Sequence, residues 1–154
     1  MTILIWLLMV GVIKEQPATP LKNTMFQAQG AEIVGYCELI KHPDRYNGKT
    51  VTVKATYGSG MEFSVFFDDE CGKSTPNEDV IALATFSENA RSNSLLYKKL
   101  RKVLKKSDEA QMTVVAKFTD GKSRVFGHQM CCRFCLEVLE ILAVEEKKLS
   151  PPRR

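Results

Sequence analysis

The chain has 154 residues, of which 44% are hydrophobic and 26% are charged. These proportions are typical of one globular domain with a buried core, and they indicate neither disorder nor a second domain. The net charge of +4 permits an anionic partner, but it lies far below the charge density of a dedicated nucleic-acid-binding protein.

An uninterrupted apolar run, ILIWLLMVGVI, occupies residues 3–13. It is about half as long as a membrane-spanning helix and resembles the apolar part of an export signal. No Lys or Arg precedes it, and the nearest small-residue cleavage pattern, at residues 28–30, lies far downstream. We expect residues 1–30 to be an export signal or an uncleaved membrane anchor followed by a tether, with a buried strand or helix as the alternative. The expected location is the periplasm or the cell envelope.

Five strands are predicted after this segment, at residues 50–57, 62–68, 80–86, 111–119 and 131–144. Most show the alternation of a half-buried strand, whereas the third is almost continuously apolar and should be covered on both faces. Asn47-Gly48 can adopt the positive φ angles of a tight turn and would set the register of the first strand. The fifth strand is long enough that we expect a bulge or a strong bend within it.

A short helical element is predicted before the first strand, within residues 36–46. It should end at His42, because a residue that precedes proline is pushed out of the α region. Leu39, Ile40 and Tyr46 would then pack over one end of the sheet.

One longer helix is predicted between the third and fourth strands, beginning near residues 92–94 and ending near residue 107. Leu96, Leu100, Val103 and Leu104 recur at the spacing of one helical face. The opposite face carries Lys98, Lys99, Arg101, Lys102, Lys105 and Lys106. We interpret it as a solvated face rather than a phosphate-binding one.

The element order is therefore β-β-β-α-β-β with a short N-terminal helical turn. This mainly-β order is that of the five-stranded OB-fold barrel, which we assign to residues 31–146, with residues 147–154 as a basic, solvated tail. Three stretches resemble a loose group of uncharacterised bacterial OB-fold proteins, many of them exported: residues 39–53 (LIKHPDRYNGKTVTV), 60–63 (GMEF) with 69–72 (DECG), and 126–128 (FGH). The likeness spans residues 36–144 and implies the fold but no activity.

Five cysteines are consistent with export to an oxidising compartment, and their odd number leaves one thiol unpaired or paired with another chain. Cys37 and Cys71 are isolated in the sequence, and the resemblance implies that they form a disulfide. His128, Cys131, Cys132 and Cys135 have the types of side chain that bind zinc. On a strand, however, Cys132 and Cys135 would point to opposite faces, so we expect no metal and no cofactor. A zinc or redox protein stays open as an alternative.

OB-folds that bind oligonucleotides or oligosaccharides use the face of the second and third strands and the loops between strands one and two and between strands four and five. Phe66 is expected to be exposed on that face. The last hairpin adds Lys122, Arg124, Phe126, His128 and Arg133. An aromatic side chain beside cations is suited to a single-stranded nucleic acid or an anionic oligosaccharide.

No catalytic motif is visible, since only His42 and His128 are histidines and no spacing marks out a nucleophile with its base. We therefore expect a non-enzymatic binding or structural module of the cell envelope. An anionic ligand or a protein is the expected type of partner, and residues 3–13 could attach the domain to a membrane.

Overall fold

The computed structural model describes residues 31–62, 64–74, 80–92 and 95–147. The predicted signal or anchor at residues 1–30 and the tail from residue 148 lie outside the described residues, as do Asn93 and Ser94 of the predicted helix start. In the described part, no helix is long and apolar enough to cross a membrane.

A closed five-stranded β-barrel forms the centre of the structure, as predicted. Its strands are β2 (Thr50–Ser59), β3 (Ser64–Phe67), β4 (Ala82–Phe86), β5 (Glu109–Asp120) and β6 (Phe134–Glu146). They neighbour one another in the order β2-β3-β4-β6-β5, and β5 pairs again with β2 and so closes the ring. The β4–β6 pairing is parallel and the other four are antiparallel.

A bulge or a strong bend was expected in the last strand, and β6 has two bulge-like shifts of register. Between Thr113 and Val114 of β5 the paired residues on β6 jump from Ala143 to Ile141, and a second shift follows between Val115 and Ala116. Each shift leaves one residue of β6 without an opposite partner, which is the geometry of a bulge, and bulges let a long strand curve around a small barrel.

A sixth strand, β1 (Glu32–Gly35), precedes the barrel and pairs in parallel with residues 51–54 of β2. The sequence pattern did not predict it. Only four residues long, with Val34 as its one buried side chain, β1 is too short to show a period of two.

In the part of the chain that the structure describes, five short α-helices cover the barrel: α1 (Tyr36–Lys41), α2 (Pro43–Tyr46), α3 (Asp69–Ser74), α4 (Glu88–Ser92) and α5 (Leu95–Leu104). The break between α1 and α2 falls at His42, as Pro43 requires, and Leu39, Ile40 and Tyr46 are buried as expected. The predicted longer helix corresponds to α5, which starts after residues 92–94 and ends at Leu104, whereas α4, which precedes it, was not predicted. α3 lies where only an acidic, turn-rich loop was expected.

The core is aromatic and aliphatic, and one polar side chain connects it to the covering helices. The hydroxyl group of Tyr36, at the start of α1, lies 2.7 Å from the carbonyl oxygen of Phe66 and 3.0 Å from that of Val80. Burial is the largest cause of a strongly raised pKa for Tyr36, so this hydroxyl stays protonated and donates. The same contacts fix α1 against β3 and the residues before β4.

Candidate functional site

Phe66 is not available to a ligand, and its predicted exposure is wrong. The side chain is 0% exposed, and its ring contacts that of Tyr57 edge-on with 5.5 Å between centroids. Val65 and Phe67, its neighbours on β3, are half-buried instead. Three consecutive apolar residues leave the alternation ambiguous, and a shift of one residue moves every side chain to the other face.

The loop between β5 and β6, residues 121–133, contains the other predicted ligand-binding residues. At its base, Arg133 donates from Nε to Oδ1 of Asp120 over 2.8 Å and from Nη2 to Oδ2 over 2.9 Å. The Asp120 side chain is 1% exposed and that of Arg133 is 34% exposed. The guanidinium also lies 4.9 Å from the ring centroid of Phe134. Arg133 therefore closes the loop, and its guanidinium is largely committed to that contact.

The charge of Asp120 is stabilised within this contact. Hydrogen bonding to Arg133 is the main reason that the pKa of Asp120 is lowered, and burial acts in the opposite direction without reversing it. The backbone N–H of Lys122 donates to Oδ1 of Asp120 over 2.8 Å. One carboxylate thus holds both ends of the loop.

The turn before β2 docks at the same place. Oδ1 of Asn47 accepts the backbone N–H of Asp120 over 2.9 Å, and the N–H of Gly48 donates to the carbonyl of Phe118 over 2.9 Å. Gly48 has a φ of 77°, the positive angle that favours glycine in a tight turn. The Asn47-Gly48 turn therefore sets the register of β2 and also supports the base of the β5–β6 loop.

A second pair of hydrogen bonds narrows the loop halfway along. Phe126 donates its N–H to the carbonyl of Cys132 over 3.0 Å, and Cys132 donates back to Phe126 over 3.2 Å. At the tip, Gly127, Gln129 and Met130 have positive φ angles of 76°, 56° and 52°. A Cβ on Gly127 would approach the Cys131 sulfur to 2.6 Å, so the tip is tightly folded and a side chain at Gly127 would disturb it.

The charged side chains exposed on the loop are basic, and the apolar side chains of Val125 and Met130 are exposed beside them. Lys122, Arg124 and His128 are exposed, and Phe126 is half-buried. The structure keeps these four on one ordered loop but does not place Phe66 with them, and Arg133 is engaged by Asp120. The ligand-binding surface is therefore smaller than the sequence predicted. It retains cations, but β3 contributes no freely exposed aromatic ring.

The predicted disulfide between Cys37 and Cys71 is confirmed, with a sulfur–sulfur distance of 2.06 Å. It joins α1 to α3 across 34 residues of sequence. Asp68 lies nearby, and its carboxylate and the two sulfur atoms fall within 4.8 Å of one another. Among the described residues, these three side chains form the one group with the composition of a metal site. The two sulfur atoms are bonded to each other, however, and offer no thiolate.

The histidine and cysteine cluster proposed for zinc or redox chemistry is spread over different environments. His128 is exposed, Cys132 is fully buried, and Cys131 and Cys135 are half-buried. Burial is the main cause of a raised pKa for Cys135, whose sulfur lies 3.9 Å from the Thr85 hydroxyl oxygen. Across residues 31–62, 64–74, 80–92 and 95–147, no ligand group of three or more includes any of these four.

Lys147 occupies a charged contact that sequence reasoning missed, since it was assigned to a solvated tail. Its Nζ atom lies 2.8 Å from a carboxylate oxygen of Glu109, 3.0 Å from one of Asp69 and 4.9 Å from the ring centroid of Phe67. Burial alone would lower the pKa of Lys147, but the hydrogen bonds from Glu109 and Asp69 outweigh it and raise the pKa. No sequence pattern near Lys147 predicts this contact, because Asp69 and Glu109 lie far away in the sequence.

A shallow depression over α1 and α2 is lined by Glu38, Lys41, His42, Pro43, Asp44 and Arg45. Arg45 reaches Glu32 at 3.3 Å and Glu38 at 3.7 Å, and His42 lies 3.7 Å from Glu38. These ion pairs are exposed and of mixed sign, so the depression favours no particular ligand.

No family model, no curated protein and no solved structure matches the chain. The roles of individual residues therefore rest on the geometry described above, and the likeness to bacterial OB-fold proteins stays a hypothesis.

Proposed function

We propose that the protein is an exported, non-enzymatic OB-fold module that acts in the cell envelope by binding. The observation that carries the proposal is the Cys37–Cys71 disulfide, which joins α1 to α3. Disulfides form and persist in oxidising compartments and are rare in the cytosol. The apolar run at residues 3–13 provides a route to such a compartment, as a signal or as an anchor.

Membership of the OB-fold is supported by the connectivity. The closed barrel has five strands, with the α4–α5 segment between its third and fourth strands, β4 and β5. OB-folds have the same order of elements, which supports the proposal, and they commonly use the loop between their fourth and fifth strands for binding. In this chain that loop is the β5–β6 loop.

A binding role is also supported by how the reactive side chains are used. Cys37 and Cys71 are bonded together, Cys132 is buried, and the carboxylate of Asp120 is held by Arg133. These groups stabilise the barrel and its loops, whereas the accessible part of the β5–β6 loop offers cations.

Export is tested by fractionation and thiol counting of the full chain made in a Gram-negative host. We expect it in the envelope fraction, with three reactive thiols after denaturation without reductant, Cys131, Cys132 and Cys135, and five after reduction. Changing both Cys37 and Cys71 to Ser is the matched control, since it should give the same count before and after reduction. A cytosolic protein with five thiols before reduction would contradict the proposal.

A second candidate function is binding of single-stranded nucleic acid or an anionic oligosaccharide by the β5–β6 loop. It is favoured by the order of the loop, because the Asp120–Arg133 and Phe126–Cys132 contacts hold Lys122 and Arg124 in place without a ligand. Fluorescence anisotropy with labelled oligonucleotides and anionic oligosaccharides at two salt concentrations tests it. We expect salt-dependent binding that Lys122→Glu with Arg124→Glu removes. Binding that is unaffected by salt and by these two substitutions would rule out this second function.

A further inference from the structure

The outward face of α5 is strongly basic. Lys98, Lys99, Arg101 and Lys102 are exposed on the helix, and Lys105 and Lys106 continue the same face in the following turn. No Asp or Glu occurs between Leu95 and Lys106. Because the whole chain has a net charge of only +4, the rest of the chain is net negative. The positive charge is therefore concentrated on this one element.

The barrel fixes which way this face points. Leu100 and Val103 are buried and Leu96 and Leu104 are half-buried, and the helix contacts β5 and β6. The cationic side chains alternate with these apolar positions at helical spacing, so the barrel holds them towards solvent. Packing, and not charge pairing, decides this orientation.

Leu95 adds an apolar group at the N-terminal end of the basic face. It is 81% exposed, and it precedes Lys98 and Lys99 by one helical turn and Lys102 by two turns. A basic face with an exposed apolar side chain at one end can combine electrostatic attraction and apolar insertion, the two interactions that bind proteins to anionic membrane surfaces.

Little within the chain neutralises the basic face. Among the described residues, one ion pair involves the cations of this face. It joins Lys106 to Glu146 over 3.0 Å. Outside them, residues 1–30 contain one acidic residue, Glu15, residues 75–79 contain two, Glu78 and Asp79, and residues 148–154 contain none. The terminal segments therefore cannot supply the negative charge that would cover five remaining cations.

We propose that the α5 basic face, defined as Leu95, Lys98, Lys99, Arg101, Lys102 and Lys105, binds the surface of a bilayer that contains anionic phospholipids. The inference rests on the proposed function in one respect, since export places a bilayer within reach of the domain instead of nucleic acid. Lysine and arginine supply the attraction to phosphate head groups, and Leu95 enters the boundary between head groups and acyl chains.

The test uses the full chain in flotation with vesicles of phosphatidylcholine alone and of phosphatidylcholine mixed with phosphatidylglycerol. The apolar run at residues 3–13 contributes to both kinds of vesicle, so it cancels in the ratio of the two affinities. We expect a preference for the anionic vesicles that falls with added salt. Lys98→Glu with Lys102→Glu should reduce the preference by at least about 25-fold, because two positive charges are lost at about fivefold each and two negative charges are added.

Two further variants separate charge, apolar contact and folding. Lys41→Glu with Lys49→Glu changes the net charge equally at exposed positions outside α5, and it should keep most of the preference. Leu95→Ser should weaken binding to anionic vesicles without changing its salt dependence. All variants are compared only after circular dichroism shows an unchanged barrel.

Equal binding to both kinds of vesicle would overturn the inference, as would equal loss in the α5 variant and its control. Salt-dependent binding of oligonucleotides through Lys98 and Lys102, without a vesicle preference, would also overturn it and assign the face to nucleic acid. The vesicle measurement does not depend on where the cell places the protein. If the protein is exported but shows no preference for anionic vesicles, this inference alone is refuted. If it is cytosolic but prefers anionic vesicles, the proposed function alone is refuted.

Discussion

Asp120 and Arg133 face each other across the base of the β5–β6 loop, where the guanidinium donates to both carboxylate oxygens at 2.8 and 2.9 Å. The loop that this pair closes is the one that carries the accessible cations. The same carboxylate accepts the N–H of Lys122, and the Asp120 backbone is held by Asn47. Four residues that are scattered in the sequence therefore determine the shape of the candidate binding loop.

Arg133→Met is expected to lower the free energy of unfolding by about 1–3 kcal/mol, because it leaves the carboxylate of Asp120 buried without its charged partner. Urea unfolding measures the loss. Arg45→Met is the matched control, since the ion pair of Arg45 with Glu32 is exposed and should contribute less than about 1 kcal/mol. Equal losses in the two variants would show that the Arg133 contact has no special structural role.

Acid should weaken the same contact. The folded protein lowers the pKa of Asp120 below its usual value of about 3.9, so the stabilisation is complete above that pH and is lost as the pH falls through the lower pKa of the folded state. The difference in unfolding free energy between wild type and Asp120→Asn should therefore shrink as the pH falls below about 4. Urea unfolding over a pH series checks this, and a difference that stays constant would contradict it.

Loss of the Cys37–Cys71 disulfide should destabilise the domain strongly. For a loop closed across 34 residues, chain entropy gives about 4 kcal/mol. Cys37→Ser with Cys71→Ser should lose about this much in urea unfolding, and the wild type should lose the same amount under reductant. Cys131→Ser should change little, because its thiol is half-buried and unbridged. A double variant as stable as the wild type would refute the prediction.

Phe66 and Phe67 provide a test of the strand register. Phe66→Ala should cost about 3–5 kcal/mol, because it removes a fully buried ring from the core. Phe67→Ala should cost less, since that ring is half-buried against Lys147. Thermal or urea unfolding of both variants ranks them, and a larger loss at Phe67 would mean that the register of β3 is the one expected from sequence.

The barrel was predictable because its period-two and helical patterns are long. Residues 50–57 and 111–119 alternate clearly and became β2 and β5, and the spacing of Leu100 and Val103 gave the buried face of α5. Phe66 was misplaced because a run of consecutive apolar residues fits either register. The predicted cations of the β5–β6 loop could be named from sequence only because they lie close together in it.

Contacts between distant residues were not predictable. The sequence around Arg133 does not indicate that it forms an ion pair with Asp120. The sequence around Lys147 likewise does not indicate its ion pairs with Asp69 and Glu109. Such pairs depend on which strands become neighbours, and that is settled by the closure of the barrel. The pairing of Cys37 with Cys71 was anticipated from a resemblance rather than from local pattern.

The position of the disulfide has a mechanical consequence. β1 leads into Cys37, and both β2 and β3 lie between Cys37 and Cys71. A pulling force that enters from the N-terminal side reaches the sulfur–sulfur bond directly after β1 and passes through it to α3. It therefore bypasses the first two barrel strands, which cannot be drawn out as long as the bond is intact. If residues 1–30 hold the domain at a membrane, tension on that tether first loads the β1–β2 hydrogen bonds and is then borne by the covalent bond, not by the hydrogen bonds of β2 with β3 and β5.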